Sequence, residues 1–579
     1  MRTVYQSKTS RIAQLPDLTA HPGILASASR TPPCLKKDAS ADVIESMCEI
    51  EARADQCFHS LKILGLPSNV ALWSLLLGGI QLVEREIDIR GENTPHLDAT
   101  LINASSLVST AMKWVVKNGR HLSPIGRLNW TVGLAAMVNE AVGVAHHYGA
   151  FLNAFPMWHK NRYGVELLSP SHLRFTVVGS AMDRRVSAYQ KGFRPKTGRH
   201  RGERAQKIQP SVKIRESFEE VYAGCRSVGL LGFTYNDPWK LWIELLPEYQ
   251  SRLAAISRRD DALSLGDYTL GEFKSFYAAL LAVCATQEHL CFAWGRNTGS
   301  YPCESAVMIR SLEDWSLILA KLSGVPNTLC QAIIRDLTFD FSSSPNLHVC
   351  PFVPLNSAMT LVALAPHFPL HSRADENILW VCSKLRSAQF DAASIMKEPE
   401  MYGALEKTCF RYSPQGPIHL PNPTPDIDLL LTDETSSTVL IAELKWIRKP
   451  TKIFERIERD EDVLKGFEQL RRIRQFLGQN PNHLASIGKL QRPLNEYREV
   501  RYAVIARDHW IWVAPTCEGA IITYDAFTGS ITRSKNLQEA LADLLTYDWL
   551  PIEGSDFNVR YDKYYANGVE METETFYAV

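Results

Sequence analysis

The chain has 579 residues, 45% hydrophobic and 22% charged, the balance of a globular protein long enough for about two to four filled cores. Lysine plus arginine and aspartate plus glutamate each number 63, which excludes an overall electrostatic pull toward nucleic acid; any such attraction has to be local. Twelve cysteines without a CxxC pair argue against a zinc site or disulfide frame and suit reduced thiols in a cytoplasmic protein.

Residues 1–40 are rich in Ser, Thr, Pro and Ala and read as a loose leader, with no apolar run to make a secretory signal. Residues 41–183 form an α-rich domain, with helical apolar spacing clearest over 43–61 and 71–86, and a strand at 173–178. The apolar run 70–83 contains Gly78 and Gly79. It is short for a bilayer span and reads as a buried helix, so no membrane association is expected. His146 and His147 read as packed or surface residues, and Trp73, Trp114, Trp239, Trp242 and Trp294 as core. Neither a Walker loop nor GxGxxG occurs, so ATP dependence is not expected.

Residues 184–216 are a basic linker. Between Arg184 and Arg215 eleven cations face one acid, Glu203, and Gly192, Pro195, Gly198, Gly202 and Pro210 break any helix. The segment is either a solvated connector or a phosphate-neutralising arm. In the second reading Arg194, Lys196, Arg199 and Arg201 bind nucleic acid, with Tyr189 and Phe193 available for base stacking. A second α-rich region, 217–394, has helices expected over 240–256, 270–292 and 312–322. At the end of the chain, 536–579 reads as a helix at 537–545 and an aromatic-acidic tail of no readable role.

Residues 395–535 carry the chemistry. The apolar runs 429–431 and 439–442 flank a polar turn, the first entered by Asp426 and Asp428, the second left by Glu443 and Lys445. Strand side chains alternate between faces, so Glu443 and Lys445 share a face, and a hairpin sets the polar strand ends side by side. Carboxylates and one ammonium then converge at a sheet end, a donor set suited to a divalent cation. The bland reading makes Glu443 and Lys445 a surface ion pair. A chance (D/E)xK triplet carries little weight alone: Glu272-Phe273-Lys274 is another copy, in a helical stretch. After Lys445 a charged helix is expected over 451–477, with Val463, Phe467, Leu470, Ile473 and Leu477 as its buried stripe and Lys465, Gln469 and Arg472 on a polar face. Strands are expected at 501–506, 510–513 and 520–524, giving five or six in all, with 418–420 as a short extra strand.

The Pro425-Asp426 or Asp428, then Glu443-Leu444-Lys445 pattern resembles the PD-(D/E)xK (restriction endonuclease-like) nuclease superfamily, over about the last third of the chain. The resemblance implies an α+β multidomain protein: an α-rich N-terminal region and a C-terminal α/β restriction-endonuclease-like domain with a mixed central sheet. It implies a Mg²⁺- or Mn²⁺-dependent nuclease acting on DNA, with RNA as the alternative substrate. Asp428, preferred over Asp426, and Glu443 would hold the metal, and Lys445 would orient water or offset developing charge. Glu400, from a helix over 396–410 that also carries Glu398 and Glu406, would be a further ligand, as would the Leu444 carbonyl. Gln469 would touch the site, although the tyrosine that follows such a glutamine in some branches is Ile473 here. Lys465 and Arg472 would meet the nucleic-acid backbone. Microbial defence or DNA processing is the setting this suggests, with a second copy or a partner protein as further possible associations. Two alternatives remain: an inactive nucleic-acid-binding or scaffold protein of nuclease fold, and an effector whose helical half senses a partner.

Overall fold

The structure is a computed structural model. It describes residues 41–90, 97–118, 129–159, 162–190, 193, 212–228, 231–254, 261–342, 346–356, 359–371, 377–378, 380–381, 397–406, 408, 410–412, 417–445, 453–507, 515 and 518–579. Helices dominate the first part: Ala41–Ala54 (α1), Ser68–Arg90 (α2), Leu97–Asn118 (α3) and Val132–His159 (α4), then the antiparallel ribbon Tyr163–Ser169 (β1) and His172–Val177 (β2). Ala181–Gln190 (α5) and Val212–Ala223 (α6) lead to Trp239–Ala254 (α7) and Leu270–Thr298 (α8). Met308–Arg310 (β3), Leu312–Ser323 (α9), Asn327–Asp336 (α10), Phe352–Pro354 (β4), Val362–Leu364 (β5) and His367–His371 (α11) follow, with the three short strands in one antiparallel sheet.

A single hydrophobic core reaches from Met47 to Val381, so the two α-rich blocks share one interior. Its axis is α8, apolar nearly all round and therefore buried. By length and composition this helix could cross a membrane, yet 83% of its apolar window lies inside the protein, as in a core helix. Local chemistry sets its ends. Thr269 Oγ1 accepts from the Glu272 amide at 3.2 Å while Glu272 Oε2 accepts from the Thr269 amide at 2.7 Å, a capping box. Gly299, at φ 71°, closes the other end. The Glu272-Phe273-Lys274 triplet is thus accounted for structurally, since its acid caps α8 and its lysine pairs with Asp261 at 2.8 Å. Trp73, Trp114 and Trp242 are buried as expected, whereas Trp239 and Trp294 are half-buried at the edge of this core.

The second body comprises Lys397–Leu405 (α12), Arg411–Tyr412 (β6), Leu429–Asp433 (β7), Thr438–Lys445 (β8), Ile453–Gln479 (α13), Glu499–Ala506 (β9), Ala520–Thr523 (β10), Tyr524–Ile531 (α14) and Leu537–Thr546 (α15). Five strands lie in the order β10-β9-β8-β7-β6. The β7–β8 hairpin is antiparallel, and β8–β9 and β9–β10 are parallel. A mixed sheet results, with α13 as the crossover between β8 and β9. Alternation divides the side chains cleanly. Leu429, Leu431, Leu440 and Leu444 face α12, α14 and α15, while Leu430, Val439, Ile441 and Val504 face Val463, Leu470, Ile473 and Leu477 of α13. Both faces are covered, which is why these strands read as continuous apolar runs. Phe467, assigned to the stripe from spacing, is only partly buried.

Two expectations change here, and a third lies outside the described residues. The proline-rich stretch before β7 leaves only an isolated bridge, Ile418 to Ile427, and the edge strand comes from Arg411–Tyr412, because proline cannot donate to a ladder. The expected strand 510–513 lies outside the described residues. The tail has a defined place: Phe557–Ala566 (β11) and Val569–Ala578 (β12) form a hairpin, and β12 pairs in parallel with β2, giving a sheet in the order β1-β2-β12-β11. Asn567 at φ 45° and Gly568 at φ 76° make its two-residue turn, the left-handed pair a type I′ hairpin needs.

Candidate active site

Asp433 shapes the β7–β8 hairpin that carries the site. Its Oδ1 accepts from the Thr435 amide at 2.9 Å, and its Oδ2 from the Ser436 hydroxyl at 2.7 Å and the Leu537 amide at 2.9 Å. One carboxylate therefore closes the turn and ties it to the start of α15. Burial alone would push the Asp433 carboxyl up; hydrogen bonds from Ser436, Leu537 and Thr435 outweigh it and hold the group below the usual carboxylate range. From this turn the strands run to their other end, where the last regular pair is Ala442 with Leu429.

One residue further, Asp428 Oδ2 accepts from the Leu444 amide at 2.9 Å. The carboxylate substitutes for the missing ladder partner and is held against β8. Glu443 and Lys445 point to the opposite side of β8 from Leu444, toward α13. Lys445 Nζ donates to Glu443 Oε1 at 2.8 Å and to Gln469 Oε1 of α13 at 2.6 Å. Glu443 is only 4% exposed, so this is no solvated surface ion pair. Two carboxylates, one ammonium and one neutral amide thus gather at the end of β8.

Asp426, the alternative acid, is used differently. His419 Nδ1 lies 2.7 Å from its Oδ2, and the Leu420 amide donates to its Oδ1 at 3.3 Å. It fastens the proline-rich loop, which leaves Asp428 as the acid beside β8. The Leu444 amide, rather than its carbonyl, has the visible role.

Spacing did not single out Gly466, although a glycine in mid-helix is a signal in itself. A Cβ there would meet Val504 Cγ2 at 3.0 Å and Lys445 Cε at 3.2 Å. The missing side chain lets α13 approach β8 closely enough for Gln469, one turn on, to reach the ammonium. Asp460, also not anticipated, is a buried acid of α13 with Arg162 Nη2 at 4.0 Å.

The remaining candidates either lie outside the described residues or have other surroundings. Glu400 is on α12, whose Met401, Tyr402 and Leu405 pack on the sheet face away from α13; the Glu400 side chain lies outside the described residues. Glu406 is exposed. Lys465 pairs with Asp462 at 2.8 Å, and Arg472 donates to the Pro423 carbonyl. Arg194, Lys196, Arg199 and Arg201 lie outside the described residues. The aromatic residues of that segment are not free for bases: Tyr189 packs edge-on against Trp549 at 5.1 Å, and Phe193 against Phe557 at 6.1 Å. Arg184 pairs with Glu574 at 2.8 Å, and Arg185 donates to the carbonyls of Tyr547, Leu550 and Pro551. The start of the expected basic linker is therefore helix α5, docked on α15 and the terminal hairpin.

Among the described residues one trio of potential metal ligands lies close together, His172, Glu570 and Glu572, with ligand atoms within 4.8 Å of one another. It sits on the other sheet, and Arg174 lies 2.7 Å from Glu572 and Lys563 2.6 Å from Glu570. Cationic side chains already occupy those carboxylates. Comparison of the chain with known protein families, characterised proteins and solved structures finds no match, so any functional reading stands on the site itself.

Proposed function

We propose that the chain is a metal-dependent nuclease of PD-(D/E)xK type that hydrolyses phosphodiester bonds, in DNA first and RNA second. The observation that carries this reading is the Lys445 ammonium held between Glu443 and Gln469, beside an Asp428 carboxylate fastened to the same strand. The donor set fits a hard divalent cation: oxygen ligands only, from adjacent strand ends. Asp428 and Glu443 would hold Mg²⁺ or Mn²⁺. Among the described residues no third carboxylate or imidazole completes the set, which suits Mg²⁺, an ion that keeps several waters. Once bound, the ion supplies Lewis acidity and a water of lowered pKa.

The chain's own part is positioning and charge. Gln469 and Glu443 fix Lys445 Nζ, so its charge is preorganised toward a phosphate brought to the strand end, where negative charge grows during attack. Asp428, tied to the Leu444 amide, loses the freedom to swing away. Gly466 holds α13 close enough to keep water away from the lysine stem.

The test is cleavage of plasmid DNA, linear duplex, single-stranded DNA and RNA by the full chain, with Mg²⁺ or Mn²⁺ and with chelator. Cleavage that needs metal and disappears in Lys445→Ala and Glu443→Gln supports the reading. Binding of nucleic acid by the unaltered chain with no cleavage under any condition overturns it in favour of a non-catalytic scaffold.

A further inference from the structure

Far from the sheet end, the helical body contains a cleft of about 670 Å³ between the start of α7, β3 and α9, within the size range of small-molecule sites. Its walls combine two chemistries. Trp239 and Trp242 meet edge to face at 5.9 Å, and Tyr235 adds a third ring. Lys321 Nζ lies 4.2 Å from the centre of the Trp239 ring, and Arg310 lines the same space. The lining acid is Asp237, whose Oδ1 already accepts from the Trp239 amide at 3.0 Å. The cleft is therefore cationic and aromatic together.

A polar relay supports the arginine. Arg310 hydrogen-bonds Tyr235, whose hydroxyl donates to Gln287 Oε1 at 2.8 Å, and Gln287 Nε2 donates to the Ser305 carbonyl at 2.7 Å. Burial pushes the Tyr235 hydroxyl up to about 12, with Arg310 opposing, so the tyrosine stays neutral at working pH. Behind the wall, Trp242 Nε1 and Arg310 Nε are buried. Trp242 itself is 4% exposed.

We propose that the cleft is a nucleotide-binding site, taking a planar base against Trp239, backed by Trp242 and Tyr235, and a phosphate against Lys321 and Arg310. Rings alone would accept any aromatic body and cations alone any anion; a nucleotide carries both on one small frame. It can arrive free or as one residue of a single strand. The site is separate from the strand end around Lys445 and does not rest on the nuclease reading.

The experiment is calorimetric titration of the full chain with the four 5′-ribonucleoside monophosphates, a five-nucleotide single strand, the parent nucleosides and inorganic phosphate. Expected is saturable binding of a monophosphate or of the single strand, with nucleoside or phosphate alone about tenfold weaker or more. Whichever of the two binds identifies the source. Lys321→Ala, at an exposed position, and Trp239→Leu, which keeps apolar bulk but removes the ring, each weaken binding about tenfold. Lys445→Ala leaves it unchanged. No saturable binding by any nucleotide or strand at millimolar concentration, or binding indifferent to both Lys321→Ala and Trp239→Leu in variants of unaltered circular dichroism, overturns the proposal.

Discussion

Both larger sheets of this protein gather acids and bases on neighbouring strands, and they do so to opposite ends. On the four-stranded sheet, Glu570 and Glu572 are met by Lys563 and Arg174, with His172 between them. Each carboxylate has its own cation, so the cluster is a cross-strand ladder of ion pairs that is electrically complete. At the end of β8, the Lys445 ammonium meets the Glu443 carboxylate and the neutral Gln469 amide, and Asp428 accepts from the Leu444 amide. The comparison teaches that proximity of ligand-type residues is a poor guide to metal chemistry, because the trio that lies close together is already a ladder of ion pairs.

The largest expected effect tests the contrast directly. Lys445→Ala lowers metal-dependent cleavage by about 100-fold or more, whereas Arg174→Ala leaves the rate unchanged and lowers only the thermal midpoint. Equal losses of activity from both would erase the distinction. Next, Gln469→Ala lowers the rate about tenfold with an unchanged denaturation curve, as expected for a residue that orients another. A further sharpening comes from Gly466→Val, which forces α13 off β8 and costs about 1–3 kcal/mol by urea titration, with activity falling alongside. A stability equal to the unaltered protein would mean the close approach at Lys445 is not needed.

The smallest effect is a pH dependence of the ion-pair ladder. The Arg174 guanidinium, with His172 and Lys563, holds the Glu572 carboxyl below its usual range against the opposing pull of burial. A depressed carboxyl contributes stability above its unfolded pKa and loses it as pH falls through the folded value. The difference in melting midpoint between the unaltered chain and Arg174→Ala is therefore present at pH 7 and shrinks as pH drops below about 4. A difference that persists undiminished at pH 3 would show that Arg174 acts through packing rather than charge.

Much of the strand end was legible in the sequence, for a physical reason. Side-chain alternation and a polar turn are local properties, so the pairing of 429–433 with 438–445 and the shared face of Glu443 and Lys445 follow from spacing alone. The α13 stripe is local too, and Val463, Leu470, Ile473 and Leu477 are buried as their period demands. The choice of Asp428 over Asp426 also agrees with the geometry, since His419 and the Leu420 amide occupy Asp426. Contacts further from the motif leave no such local trace. Spacing could place Gln469 on a polar face but could not say that Gly466 lets that face reach Lys445.

Chain chemistry by itself determined the hairpin, the crossover helix and the acids and amine they display, because each depends on residues a few positions apart. Only the tertiary structure decided three other things: that both helical blocks share one core, that β12 pairs with the distant β2, and that residues from 233 to 321 wall one cationic, aromatic cleft. Such contacts join segments whose separation leaves no periodic trace. Their partners are selected by which apolar faces and unmet charges remain once the local elements have formed.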